Sequence, residues 1–379
     1  MATTRARTSK AQAADTLGES LRRGYTLPAE WYTDLARFRD ERTRIFRHTW
    51  QFVGYSDQLP EGGSYLSARI GDTPLVITRD QSGALRAFVN VCRHRGSELV
   101  ALGQPESGQA KTLQCAYHAW TYNLDGTLRA APGAKDEPDF DLRDYALFTV
   151  PIATWGPLIF VNLDPQSAPL TETLGALPEL ARAAGAPLGT MRRRASHRYD
   201  IAANWKIVVD NYLECYHCPV AHKGFSSLID TNAYTVQEYD WFSVQVGAMK
   251  ASAQASDNPD LYAARGEVTA GFYAWLWPNF TLNVYPGHGN VSINHFIPTA
   301  VDRTLVVKDY LFVDEVEADE EGDFIRFIEQ VQVEDVALCE SVQRGLATGY
   351  FDQGRLMLCQ ESALHHFQRL VYRASCAGE

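Results

Sequence analysis

A chain of 379 residues exceeds what one hydrophobic core usually supports, so two domains are expected. Hydrophobic residues make up 45% and charged residues 21%, which excludes a disordered or fibrous chain. The formal net charge of -11 excludes the concentrated basic face that nucleic-acid binding requires.

The chain opens with scattered bases (Arg5, Arg7, Lys10, Arg22, Arg23) and no apolar run of the secretory kind, and reads as a mobile arm. "PAEWYTDLARFRDERTRIFRHTW" then places apolar residues at helical spacing with Pro28 in the first turn. This predicts a docking helix, and arm and helix together take residues 1–44. From about Gly63, the short runs "YLSARI", "PLVITRD" and "LRAFVNVC" are separated by Gly, Asp and Pro turn signals. They predict a small antiparallel β domain over residues 45–165, ending near "PLIFVNLD". The longest apolar stretch, "VPIATWGPLIFVNL", is broken by Gly156 and Pro157, so no spanning helix is expected. The protein is expected to be soluble and cytoplasmic.

The Pro-, Ala- and Gly-rich "PQSAPLTETLGALPELARAAGAPLG" marks a boundary. A second domain over 166–379 begins with a strand-like "HRYDIAA" and a helix from about Trp205. The strands "GFYAWLWP", "FTLNVYP", "NVSINHFIP" and "TLVVKDYLFV" follow, and "DFIRFIEQVQVEDVALCESVQRGL" makes the C-terminal part helical. The acids ahead of that helix (Glu317, Asp319, Glu320, Glu321, Asp323) suit a solvated helix N-terminus.

Seven cysteines is an odd number, and Cys92 and Cys115 sit two and three residues before a histidine, which favours metal ligation over disulfides. Cys92-x-His94 and Cys115-x-x-His118 each offer one thiolate and one imidazole. Tetrahedral zinc accepts that set, but usually from a C-x-x-C pair and a separate histidine pair. A Rieske 2Fe-2S centre takes two thiolates on one iron and two imidazoles on the other, so each mixed loop supplies one ligand to each iron. The spacing favours the Rieske centre. Such a cluster passes electrons and does no organic chemistry itself, so a receiving site is expected downstream.

"DNYLECYHCPVAH" supplies it. His217 and His222 would stand about 140° out of line on a continuous helix at roughly 100° per residue. Pro219 is expected to kink or end the helix between them and let both imidazoles converge. Two histidines and one carboxylate with open positions form the facial triad of non-haem Fe(II) oxygenases. Asp210 and Glu214 are local candidates for the carboxylate; Glu329, Glu334, Asp335 and Glu340 are distant ones, and periodicity does not choose among them.

Together, "CRHRG", "CAYHAW" and "NWKIVVDNYLECYHCPVAH" resemble the oxygenase (α) subunits of Rieske non-haem iron oxygenases, over nearly the whole chain after the arm. The resemblance implies an α+β fold: a small antiparallel β Rieske domain, then a helix-grip catalytic domain with an antiparallel sheet and C-terminal helices. It assigns Cys92, His94, Cys115 and His118 to the cluster and His217, His222 and Asp335 to a mononuclear iron, with Glu334 the closest competitor of Asp335. Glu214 takes the place of a bridge from His118 of one subunit to His217 of its neighbour, which implies a homo-oligomer, typically a trimer. The bridge is more often Asp in the aromatic-ring dioxygenases, so Glu214 matches another branch. Asp210 is then expected near the iron as an orienting group. Cys215 and Cys218 are expected to be packing thiols.

"NYLECYHC", "WLWPN", "YPGHGN", "FDQGR" and "HHFQRL" are similar to the oxygenases acting on quaternary amines: carnitine, choline, glycine betaine and proline betaine. A trimethylammonium group wants aromatic faces, each worth about 0.5–2 kcal/mol when desolvated. Tyr212, Trp275, Trp277, Phe280 and Tyr285 are the expected suppliers. No flavin or dinucleotide fingerprint is present, so NAD(P)H electrons are expected through a separate flavin/iron-sulfur reductase, with O2 as co-substrate. The nearest rival reading is a ring-hydroxylating oxygenase acting on an aromatic or alicyclic carbon; from another class, a zinc-binding or electron-transfer module.

Overall fold

The structure, a computed structural model, describes residues 16–100, 106–254, 262 and 264–376. Of the basic positions read as an arm, Arg5, Arg7 and Lys10 lie outside the described residues. The chain forms two compact units, Phe46–Thr173 and Met1–Ile45 with Leu174–Glu379. The boundary expected after residue 165 falls at Thr173, because the Trp50 indole donates to the Ala168 carbonyl at 3.0 Å and ties that segment to the first unit. Residues 1–44 do not stand apart either. Leu27 N–H donates to Gln368 Oε1 at 2.8 Å and Leu356 N–H to the Gly24 carbonyl at 2.9 Å, fastening this stretch to the C-terminal region. No described helix is long and apolar enough to cross a membrane.

The single docking helix is broken into Glu30–Thr33 and Leu35–Glu41, followed by a wider turn over Arg42–Phe46. Asp34 is the cause: its carboxylate accepts from Arg37 N–H and caps a new helix start.

The unit Phe46–Thr173 is antiparallel throughout. Strands β1 (Gln51–Tyr55), β2 (Ser64–Ile70), β3 (Thr73–Arg79), β4 (Leu85–Val89), β5 (Ser107–Gln109), β6 (Leu113–Gln114), β7 (Thr121–Tyr122), β8 (Leu128–Ala130), β9 (Ile152–Trp155) and β10 (Leu158–Val161) form three small sheets. Their orders are β1-β10-β9, β4-β3-β2-β5 and β6-β7-β8. Val76, Phe88, Leu113, Tyr122 and Leu128 pack with Cys92 and Cys115 into one core, so both thiols sit at its edge. Gly126 is required in the turn before β8, since a Cβ there would meet Phe88 at 2.4 Å.

The larger unit is built on a seven-stranded antiparallel sheet. Its strands are β11 (Arg192–Ile201), β12 (Thr235–Glu238), β13 (Phe242–Ala248), β14 (Ala270–Leu276), β15 (Phe280–Val284), β16 (Asn290–Ala300) and β17 (Arg303–Phe312), in the order β11-β17-β16-β15-β14-β13-β12. Between β11 and β12 come helices α1 (Trp205–Tyr212), α2 (Cys218–Ala221) and α3 (Lys223–Leu228); α4 (Ala318–Leu346) and α5 (Ser362–Cys376) follow β17. Cross-strand partners share a face. One register row runs Gln245, Tyr273, Asn283, Ser292, Tyr310, and the next runs Ser243, Trp275, Thr281, Asn294, Lys308. Leu282, Val284, Val291 and Ile293 alternate with them and point the other way. The sheet therefore has one apolar face and one buried face of polar and aromatic side chains.

A buried ion pair anchors α1. Lys206 Nζ lies 2.6 Å from Glu41 Oε1, with the two side chains 0% and 2% exposed, and the Trp205 indole donates to Glu41 Oε2 at 2.8 Å. Removing one partner leaves the other charged and unpaired in the interior. Glu41→Ala is expected to lower stability by about 3–5 kcal/mol, read by denaturant unfolding of the larger unit.

Candidate functional site

Cys92–Ser97 and Cys115–Trp120 are the same loop made twice. In each, the cysteine N–H donates to the carbonyl five residues on, and the N–H of the residue four on donates back to the cysteine carbonyl (Gly96 to Cys92, Ala119 to Cys115). Gly96 and Ala119 both adopt positive φ, 78° and 57°, which Gly tolerates freely and Ala does not. The loops bring His94 Nδ1 to 3.2 Å from His118 Nδ1, with Cys92 and Cys115 buried beneath them at 2% exposure. Burial pushes the Cys115 thiol up, but the backbone N–H groups of Tyr117 and His118 draw it below the usual range. The Tyr122 hydroxyl lies 3.4 Å from Cys92 Sγ. Trp120 stacks on His94 at 4.9 Å, and Tyr117 stands beside His118, 57% exposed. Inner sulfurs and outer imidazoles are what a two-iron cluster with thiolate on one iron and imidazole on the other requires.

The second group assembles on the larger unit. α1 ends at Tyr212, well before His217, so no helix runs through the histidines. Pro219 occupies the first turn of the one-turn helix α2 rather than kinking a longer one, with His217 before it and His222 after. His217 Nε2 and His222 Nε2 come within 3.0 Å, and Asp335 Oδ1 lies 3.0 Å from His222 Nε2 and 3.5 Å from His217 Nε2. One donor atom from each of the three lies within 4.8 Å of the others. The outer nitrogens are held from behind: Glu214 Oε1 bonds His217 Nδ1, and Glu334 Oε2 lies 2.7 Å from His222 Nδ1. A carboxylate behind each ring fixes its tautomer and aim.

Burial pulls both imidazoles down, but Asp335, joined by Glu214 at one ring and Glu334 at the other, more than reverses it. His217 is pushed up to about 10 and His222 upward. Burial pushes Asp335 up, and the two imidazoles outweigh that and hold it at about 2. Three converging donors in a field this favourable to positive charge fit a divalent cation of the iron type.

The remaining candidate carboxylates are engaged elsewhere. Glu329 bonds His197 and accepts from Tyr199 OH, and Glu340 accepts from Ala202 N–H. Asp210, expected near the metal as an orienting group, accepts from Tyr32 OH at 2.7 Å and Gln368 Nε2 at 3.0 Å and lines a groove with Glu214 and His217; burial pushes it up to about 7. No described hydrogen bond joins it to His217, His222 or Asp335. Cys215 and Cys218, expected as packing thiols, are joined as a disulfide: the turn that closes Glu214 onto His217 brings their Cα atoms within 4.9 Å.

The three convergent side chains open on a cavity of about 100 Å³ between α4 and the polar face of the sheet. Ile328, Val331, Gln332 and Asp335 reach it from one stripe of α4. Of the aromatics expected to face a substrate, Tyr212 and Tyr285 line it; Trp275, Trp277 and Phe280 do not. Phe367 of α5 packs on Trp275 and Trp277 at 5.4 and 6.0 Å, and Phe280 sits in the register row that faces away from the cavity. In their place stand Phe225, Tyr234 and Tyr273, with Tyr273 in ring contact with Phe225, Tyr234 and Tyr285 at 5.7, 6.1 and 5.3 Å. The polar lining of Gln245, Asn294 and Lys308 was also not anticipated. Its signal lay in "FTLNVYP" and "NVSINHFIP", where polar residues recur at every second position of otherwise apolar strands.

Residues 188–375 match the model of the family "Ring hydroxylating alpha subunit (catalytic domain)", and residues 49–151 match "Rieske [2Fe-2S] domain". The chain is 35% identical to the chloroplastic choline monooxygenase of Arabidopsis thaliana, over 93% of this chain and 83% of that one. It is 33% identical to the carnitine monooxygenase oxygenase subunit of Escherichia coli (strain K12), over 92% and 93%. The fold superposes on a quaternary ammonium Rieske monooxygenase described with inter-subunit electron transfer (TM-score 0.83, 29% identity, 94% and 97% covered). The complex of such an enzyme with L-carnitine gives TM-score 0.80 at 30% identity, with the same coverage. Naphthalene 1,2-dioxygenase from Rhodococcus sp. shares the fold at 19% identity, with TM-score 0.78 over 96% and 99%. Two loops built for a Rieske cluster, a two-histidine, one-carboxylate group beyond them, and this identity over nine-tenths of the chain place the protein among the Rieske non-haem iron oxygenases, in the quaternary-amine branch.

Proposed function

We propose that this oxygenase hydroxylates a carbon next to nitrogen in a quaternary or methylated amine, leading to C–N cleavage. One observation carries the reading: the convergent His217, His222 and Asp335 open directly onto a small cavity walled by Phe225, Tyr234, Tyr273 and Tyr285. Aromatic faces around a buried site attract an alkylammonium group through their quadrupoles. In this family the cluster supplies electrons singly and the mononuclear iron activates O2, with NAD(P)H as the source of electrons. Cys92 and Cys115 would hold one cluster iron and His94 and His118 the other; His217, His222 and Asp335 would hold the mononuclear iron. Glu214 and Glu334 keep the two imidazoles turned inward. The aromatic wall positions the cation, and the narrow cavity keeps water off the carbon being attacked. A hydroxyl placed on that carbon gives a carbinolamine, which breaks at C–N to an aldehyde and the freed amine.

The arrangement also supports a homotrimer in which His118 of one subunit meets Glu214 of the next. His94, Tyr117 and His118 form an outward tip on the smaller unit. Leu338, Val342 and Phe351 line a groove of the larger unit that also contains Glu214 and His217, and all three are exposed apolar side chains. A separate flavin/iron-sulfur reductase and a cytoplasmic location complete the proposal; the related choline monooxygenase of Arabidopsis thaliana is chloroplastic.

The test is product analysis with a reductase, NADH and O2: aldehyde and amine from a quaternary amine are expected. Oxidation of an aromatic or alicyclic compound without amine cleavage would favour the ring-hydroxylating alternative. About three irons with acid-labile sulfide per chain are expected, and zinc alone would remove the oxygenase reading. A hydrogen bond to a cluster sulfur stabilises its more negative, reduced state. Tyr122→Phe is therefore expected to lower the cluster potential by about 40 mV, from roughly 1 kcal/mol at 59 mV per tenfold, measured by redox titration of the visible absorption.

A further inference from the structure

Among the described residues, the larger unit buries two lysines. Lys206 has its carboxylate, Glu41, at 2.6 Å. Lys308 is 5% exposed, lines the cavity, and takes part in no described hydrogen bond or ion pair. A buried ammonium without a partner is rare, because the desolvation cost is not offset. Burial pulls Lys308 down and the Asp335 carboxylate opposes that pull.

Its surroundings are also polar and unmatched. Asn294 lies opposite Lys308 in the sheet. Its amide nitrogen bonds the Thr281 hydroxyl at 2.9 Å, while its Oδ1 is buried without a partner, as are Gln245 Oε1 and Tyr273 OH. With the amide of Asn294 turned over, Oδ1 accepts from Thr281 and the NH2 group points toward the cavity as a donor. All four residues line the same space. Polar atoms this deeply buried are normally satisfied.

The cavity is thus divided along the sheet. Tyr273 on β14 and Tyr285 just after β15, with Tyr234 and Phe225 around them, offer aromatic faces; Asn294 and Lys308, on β16 and β17, offer donors. We propose that Lys308, with Asn294 beside it, binds a carboxylate of the substrate, so that this chain takes a betaine, a quaternary ammonium carrying a carboxylate, and rejects an amino alcohol. This rests on the quaternary-amine reading above. A betaine puts its cation against the tyrosines and its carboxylate against Lys308, neutralising the buried ammonium. Choline would instead add a second cation to a low-dielectric space and leave Lys308 unpaired.

The experiment is calorimetric binding to the iron-loaded, full-length protein of glycine betaine, γ-butyrobetaine, L-carnitine and choline. At least one betaine is expected to bind about 10-fold or more tightly than choline, and Lys308→Met to weaken that betaine by about 10- to 100-fold, the range of a hydrogen-bonded ion pair, without weakening choline. In turnover the same variant should raise KM for the betaine far more than it lowers kcat, and Lys308→Arg should restore part of the affinity. Unchanged Rieske absorption and iron content identify a folded variant, and the wild-type comparison decides even where the variant does not fold. Choline binding wild type as tightly as the best betaine, or Lys308→Met weakening choline and betaine alike, overturns the carboxylate assignment while leaving the quaternary-amine reading in place. If none of the four binds, that reading falls and the assignment with it.

Discussion

Asp335→Ala is expected to yield a folded protein with an intact Rieske spectrum, mononuclear iron reduced to background, and turnover lowered by more than 100-fold. The bound comes from comparison: loss of a group behind a metal ligand typically costs about 10- to 100-fold, and Asp335 contributes a donor atom itself. Its Oδ1 lies 3.0 and 3.5 Å from the two imidazoles, and no other described carboxylate stands in reserve at that point. Glu334→Gln at the neighbouring position supplies the contrast. Its carboxylate touches the outer face of His222, so iron should be retained more weakly, with turnover down about 10- to 100-fold. Iron analysis and single-turnover product yield measure both. Equal effects of the two substitutions would mean that the structural order of the two acids is wrong.

Glu214→Gln is expected to separate the two halves of the reaction. The carboxylate is pinned by Tyr216 N–H at 2.5 Å and His217 N–H at 3.1 Å while its other oxygen bonds His217 Nδ1. An amide of the same shape can remain in place but loses the charge, and with it the pull on the His217 proton. The cluster should still be reduced by dithionite at its normal rate. Its reoxidation by O2 in the presence of substrate should slow about 10- to 100-fold, with turnover falling in parallel. Stopped-flow absorption of the pre-reduced protein separates cluster oxidation from substrate binding. Unchanged reoxidation would refute the relay through Glu214.

What was legible in the sequence followed from how close the groups lie along the chain. Cys92 with His94, Cys115 with His118, and His217 with His222 are each held within one turn or loop, so spacing alone limits which metal they suit. The alternation of the strands disclosed the sheet for the same reason, since period two is a property of the backbone. The rest depended on contacts between distant segments. Glu334 and Asp335 are neighbours whose side chains leave a helix about 100° apart, and only the seating of α4 against α2 and the sheet decides which one meets the imidazoles. Asp210 looked equally suited to the metal until Tyr32 and Gln368, from opposite ends of the chain, took its carboxylate. Trp275 and Trp277 have the composition of a cation site but are covered by Phe367, whereas nothing local in the sequence marks Tyr234 and Tyr273 as lining the cavity. Sequence by itself determined which atoms can bind metal. Tertiary packing decided which of them meet and what the cavity beside them can recognise, because side-chain direction and burial are set by segments far apart in the chain.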